Sequence, residues 1–222
     1  MKEEVKNHLF LRKMLGILCG LLAPACLLFG LIGAEHNMEG WYMSVSATYY
    51  ASSKVWMIGL LFTASVFFMC YTGYDWRDRV MAIIQSLCCL FVVVFPCRVP
   101  GAPETVGMFD LPINVSHTIH MISASVLFFA FAVNILFLFT IGNVNNEKKR
   151  QRNIVYKVCG IVIFVFAVFL ALHKTPIFAW VPAWFPYTWF CEFIMLTAFS
   201  VAWLVKSESV KALNDVEEKT EA

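Results

Sequence analysis

Charge is what this sequence has least of. Only 14% of its 222 residues are Asp, Glu, Lys or Arg, and the formal net charge is +2, whereas soluble domains are roughly a quarter charged. So small a balance, with basic residues gathered along no one face, excludes a nucleic-acid surface. Sequence signatures of metal and redox chemistry are missing too. The eight cysteines form no C-x-x-C pair, no H-E-x-x-H occurs, and no internal repeat stands out.

What the chain has instead is apolar length. It is 60% hydrophobic, with 21 Phe and 7 Trp and a mean hydropathy of +0.71. Cys19, Cys26, Cys70, Cys88, Cys89, Cys159 and Cys191 lie inside apolar runs and Cys97 at the end of one. They read as buried thiols acting as small hydrophobes. The run from Met14 to Gly33 is too long for a signal-peptide core and no small-x-small cleavage site follows it, so an uncleaved first span is expected, bent at Pro24.

Six apolar runs, near 14–33, 55–74, 80–97, 117–141, 154–173 and 186–205, predict an all-α integral membrane protein, a six-transmembrane-helix bundle. An even number of spans puts both termini on one side. Fourteen of the seventeen basic residues fall in the termini and the loops at 75–79 and 142–157, leaving Lys54, Arg98 and Lys174 opposite. That asymmetry predicts cytoplasmic termini. Residues 1–206 form the membrane domain, and the charged tail 207–222 is expected to be disordered. Trp41, Trp56, Trp180, Trp184 and Trp189 fall at the outer face, where indole rings suit the headgroup level. Asp75 is placed to cap the third helix.

Ionisable groups inside spans are costly, so they face the bundle interior or a wet cavity. His117 and His120 open the fourth span about 60° apart on its helix. Ser116 and Ser123 extend the same stripe, His173 closes span five, and Glu192 lies roughly 9 Å below the start of span six. Three imidazoles and one carboxylate match the ligand types of catalytic zinc, with Glu192 as ligand or general base. Ser44, Ser46, Tyr49, Tyr50 and Asp110 would then orient a substrate ester or amide. The alternative has the histidines bonding loop carbonyls while Glu192 is protonated or pairs with Arg98 or Lys174. Deeper in, Tyr71, Gln85, Asn134 and Tyr156 read as polar stitches between helices.

Several of these residues form a recognisable set. Ser44-x-Ser46-x-x-Tyr49-Tyr50, Gly73-Tyr74-Asp75-x-x-Asp78, His120 with Ser123-Ala124 and Phe128-Phe129, Asn153-x-x-Tyr156-x-x-Cys159-Gly160, and Glu192 with Ala198-Phe199-x-x-Ala202-Trp203 resemble an uncharacterised bacterial family of six-span membrane proteins carrying a domain of unknown function. More distantly they resemble DRAM-like six-helix membrane proteins. The resemblance spans about residues 40 to 206 and implies a six-span bundle in the bacterial inner membrane, with no activity attached. A looser similarity, to alkaline-ceramidase-type hydrolases, rests on histidines, a serine and an acid near one face. That family has seven spans and a late His-x-x-x-His pair.

Three functions therefore stand as expectations. The first is a membrane protein whose outer polar pocket (His117, His120, Ser123, His173, Glu192, Ser44, Ser46, Tyr49, Tyr50) binds a lipid headgroup or small polar ligand. The second is a zinc-dependent lipid hydrolase using His117, His120, His173 and Glu192. The third is a transporter or channel subunit with a polar path from His120 to Gln85 and Asn134.

Overall fold

The computed structural model describes residues 2–214 apart from 143, 145 and 174, with side chains from Val5 onward. Lys174, one candidate partner of Glu192, and tail residues 215–222 lie outside the described residues. Among the described residues there are six long helices: α1 (Lys2–Ile32), α2 (Lys54–Cys70), α3 (Trp76–Val94), α4 (Ile113–Val133), α5 (Glu147–Leu172) and α6 (Tyr187–Lys206). Beyond these are short 3-10 turns and one small antiparallel pair, β1 (Thr105–Val106) with β2 (Leu111–Pro112). Four stretches, Val5–Ile32, Ile113–Leu138, Glu147–Leu172 and Tyr187–Lys206, are long and apolar enough to cross a membrane. The helix Lys54–Cys70 is apolar but shorter, and α3 carries Arg77, Asp78 and Arg79 in its first turn.

Local chemistry sets the boundaries. Asp75 accepts from the N–H groups of Arg77 and Asp78, which satisfies two donors that a helix start leaves open. Just before it, Gly73 turns the chain at φ +70, and a Cβ there would come 2.1 Å from the Asp78 side chain; only glycine fits. Pro96 follows the end of α3, since its missing N–H cannot extend a helix. Proline does not interrupt α1, which runs unbroken through Pro24. The fourth helix starts earlier than its apolar run, placing His117 and His120 in its second turn, and ends in a π turn at Asn134–Leu138.

Sequence neighbours pack together, and α6 packs on α1, closing a ring in the order α1 to α6. Successive helices alternate in direction. One end joins Arg12 of α1 to the Lys206 carbonyl of α6; the other joins Glu192 in α6 to the loop after α1. The start of α1 and the end of α6 thus lie at one end of the bundle. The α1–α6 seam is close because small residues line it. A Cβ on Gly20 would fall 2.5 Å from the Ser200 hydroxyl, and one on Gly16 would fall 3.0 Å from Leu204. This is the small-xxx-small packing that brings two helix backbones together in lipid.

The ring is filled by aromatics. Phe68, Phe131, Phe199 and Trp203 are each at most 1% exposed and stack in mutual contact, with Tyr71, Phe139 and Tyr156 beside them. The outside is also apolar. Leu28, Phe62, Phe91, Phe129, Phe164 and Val201, one from each helix, are all exposed. An apolar outer surface around the whole ring is far larger than a soluble monomer tolerates. Tail residues 207–214 fold back on α5, where Lys148 and Arg152 bond the carbonyls of Ala212 and Leu213.

Candidate functional site

Pro96 leaves the end of α3 with backbone groups no helix can satisfy, in a place shielded from water. Side chains from two other elements take them one by one. His120 Nδ1–H donates to the Phe95 carbonyl at 2.8 Å, and Ser116 donates to the Pro96 carbonyl at 2.8 Å. Tyr50 donates to the Cys97 carbonyl at 2.8 Å, and the Arg98 N–H donates to His117 Nδ1 at 3.2 Å. The histidine pair is therefore a clamp on residues 95–98, the structural alternative raised by the sequence. Burial pushes the Tyr50 phenol above its ordinary value, which keeps it a donor. Burial likewise pushes the Cys97 thiol up to about 12, far from a thiolate nucleophile.

A second set of bonds ties α6 to the loop after α1. Glu192 is 7% exposed, and its Oε2 accepts from the Val45 N–H at 2.6 Å. Trp189 N–H, one turn earlier, donates to the Met43 carbonyl at 2.9 Å. Val45 opens a 3-10 turn, Ser46–Tyr50, braced by Ser44 Oγ accepting from Ala47 N–H and by Thr48 Oγ1 donating to the Val45 carbonyl. Glu192 also borders an internal cavity of about 40 Å³, whose walls include Ser46, Leu22, Met57, Leu127 and Phe128. That is room for a water or two and too little for a lipid headgroup.

The open site lies further out. Tyr49, Tyr50, Lys54, Glu35 and Asp110 line a cleft of about 440 Å³, floored by Met38, Pro103 and Val106. Lys54 Nζ sits 4.1 Å over the Tyr49 ring, and Tyr49 meets Tyr50 edge to face. No ion pair joins Glu35, Lys54 and Asp110, so charges of both signs face the same opening. Asp110 holds its place at φ +49, a left-handed conformation uncommon outside glycine.

The expected single pocket thus divides in two. Tyr49 and Tyr50 line the cleft. Glu192 and Ser46 border the inner cavity, and Ser44 braces the turn between them. His117 and His120 clamp residues 95–98. Ser123 donates to Ile119 on its own helix. His173 stacks on Tyr187 at the end of α5.

The four expected zinc ligands do not converge in this structure: among the described residues no three His, Cys, Asp or Glu side chains are grouped to hold a metal ion. The physical reason is the orphaned backbone after α3 and α1, which claims His117, His120 and Glu192 for itself. The expected Glu192–Arg98 pair is also absent, Arg98 bonding Asn114 instead. Cys89, Val92, Leu127, Met195 and Leu196, all buried, lie along the helices between His120 and the Gln85–Asn134 pair. That deeper pair is a stitch, with Gln85 donating to the Ala130 carbonyl at 3.3 Å and Asn134 approaching Gln85 at 3.5 Å.

Glu35 and Lys54 were not singled out by sequence as site residues. Their only signal was charge in an outer loop otherwise poor in it. No family model, curated protein or solved structure matches this chain. What the fold defines is an all-helical protein with four helices able to cross a membrane.

Proposed function

We propose that this chain is a six-span protein of the bacterial inner membrane, termini in the cytoplasm, whose outward cleft binds a small polar ligand or lipid headgroup. Support for six spans comes from the closed ring, in which α2 and α3 occupy positions equivalent to the longer four. At ~1.5 Å per residue, helices of 17 and 19 residues reach roughly 26 and 29 Å, close to the ~30 Å of a bilayer core. Support for the orientation comes from the distribution of basic residues along the sequence, fourteen in the terminal segments and the loops at 75–79 and 142–157 and three in the remaining loops. The resemblance to the six-span bacterial family agrees with the span count and the inner membrane.

The observation that carries the binding role is the cleft of about 440 Å³ with unpaired charges of both signs on its walls. Sites of a few hundred Å³ with a few convergent polar groups suit small molecules. An ammonium group would be met by Glu35 and Asp110, an anionic group by Lys54, and an apolar linker by the tyrosine rings.

Native mass spectrometry of the protein released from detergent tests this reading. Wild type is expected to carry a small polar or lipid adduct that Lys54→Ala and Asp110→Ala each lose. Bare wild-type protein, or adducts retained equally by both variants, would overturn it.

A further inference from the structure

The cleft uses one end of the bundle; the other end holds two cations that it leaves unexplained. Arg12 is only 5% exposed, and its guanidinium lies 4.7 Å from the Tyr74 ring and 5.7 Å from the Tyr71 ring. Lys206 reaches the same place from α6, its Nζ 5.1 Å from Tyr74 and 4.9 Å from Phe139. Tyr74 is thus shared by both cations, and it is 73% exposed.

Neither cation forms an ion pair among the described residues. Arg12 donates from one terminal nitrogen to the Tyr74 hydroxyl at 3.2 Å and the Lys206 carbonyl at 3.4 Å, while its Nε is buried with no acceptor. Lys206 reaches only the Phe139 carbonyl, at 3.4 Å. Aromatic faces attract cations but cancel no charge. A buried and a half-buried positive charge this close repel each other, and charged groups at membrane depth ordinarily find a counter-charge. The surroundings are mixed but mainly positive: Lys149 and Arg152 also act on Lys206 at electrostatic range, and Asp78 opposes them. The acids facing this region are Asp78, whose carboxylate accepts from the Tyr74 N–H at 2.8 Å, and Glu208, near Tyr156.

We propose that Arg12 and Lys206 form a binding site for a phosphate ester of net negative charge, entered past Tyr74 from the end of the bundle where α1 starts and α6 ends. A phosphate accepts from the unpartnered Nε and a terminal nitrogen of one guanidinium at once, and supplies the charge that both cations lack. A lysine beside it adds a point charge with freely rotating donors. Basic pockets between helices at a membrane face commonly hold anionic headgroups, so phospholipid is the expected source of the ester and free phosphate the other.

The full chain in nanodiscs, examined by native mass spectrometry with phosphatidylglycerol, phosphatidylcholine and inorganic phosphate as probes, tests the site. Phosphatidylglycerol adducts are expected, reduced about tenfold in Arg12→Gln or Lys206→Gln, as loss of a charge-assisted contact implies. They should be unchanged in Lys13→Gln, an exposed basic residue at the same end. Inorganic phosphate that competes the lipid away supports the site and makes the free anion its occupant. Equal binding of phosphatidylcholine, or full phosphatidylglycerol retention by both variants, overturns the proposal. If Arg12→Gln does not fold, Lys206→Gln and Tyr74→Leu, both nearer the surface, carry the same test. The cleft ligand is unaffected by any of these outcomes, since Lys54 and Asp110 lie at the opposite end.

Discussion

Glu192 and Val45, separated by 147 positions in sequence, meet at 2.6 Å, carboxylate oxygen to backbone N–H, in a place closed to solvent. A carboxylate inside an apolar run invites a catalytic role, but here it finishes the hydrogen bonding of a 3-10 turn on another element. An amide buried without an acceptor costs ~1–3 kcal/mol. Glu192→Gln keeps an acceptor for Val45 and is expected to unfold within a few degrees of wild type. Glu192→Leu orphans the Val45 N–H and should lower the melting temperature clearly, with faster proteolysis of the loop 34–54. Equal melting of the two variants would show that the bond contributes nothing.

Metal removal gives a second prediction. His117, His120 and Glu192 each hold backbone of the outer loops, and His173 is stacked on Tyr187. Dialysis against a strong chelator is expected to leave the thermal unfolding curve in place. His120→Ala, in contrast, leaves the Phe95 carbonyl without its donor and removes a buried ring, at about 2 kcal/mol or more. A chelator-induced drop in melting temperature, restored by added zinc, would show a site that these side chains do not form here.

The helices were legible because long apolar runs have few other uses, and Asp75 announced its cap by standing just before one. The site was legible only in its ingredients. His120, Ser116, Glu192 and Tyr50 stood out as polar groups in costly places, which is correct physics. Sequence could not say what they bond, because their partners are backbone groups of Phe95, Pro96, Val45 and Cys97, and every residue has those. Backbone acceptors leave no trace in residue identity. Glu35 and Lys54 flank one loop and Asp110 lies in another, and the packing of the two loops brings them to one cleft. The Gly16-x-x-x-Gly20 seam was readable in principle as a helix-contact motif, but its partner on α6 was not.

That seam makes a third prediction. Gly20 faces Ser200 so closely that any side chain must move one of the helices. Gly20→Val is expected to cost ~1–3 kcal/mol by overpacking, and the double variant Gly20→Ala with Ser200→Ala should recover part of the cost of Gly20→Ala alone. Gly59, with nothing within 4 Å of its added Cβ, serves as control: Gly59→Ala should be neutral or slightly stabilising, since alanine favours the helix. If Gly20→Val melts like Gly59→Ala, α1 and α6 are not in contact at this level.

Tyr50 offers a fourth test, because it belongs both to the loop clamp and to the cleft wall. Its hydroxyl donates to the Cys97 carbonyl, while its ring lines the cleft with Tyr49. Tyr50→Phe keeps the ring and orphans the carbonyl, so a loss of about 1 kcal/mol is expected. The pH dependence of that loss has a definite sign. Burial raises the phenol, so on raising the pH the unfolded chain ionises first, near the ordinary value of about 10. The stabilising effect of the hydroxyl is then complete at lower pH and shrinks above it. The gap between the wild-type and Tyr50→Phe melting temperatures should stay constant from about pH 6 to about 9 and narrow beyond ~10. A gap that changes within the neutral range would mean that another titrating group, not the Tyr50 hydroxyl, holds the 3-10 turn against the end of α3.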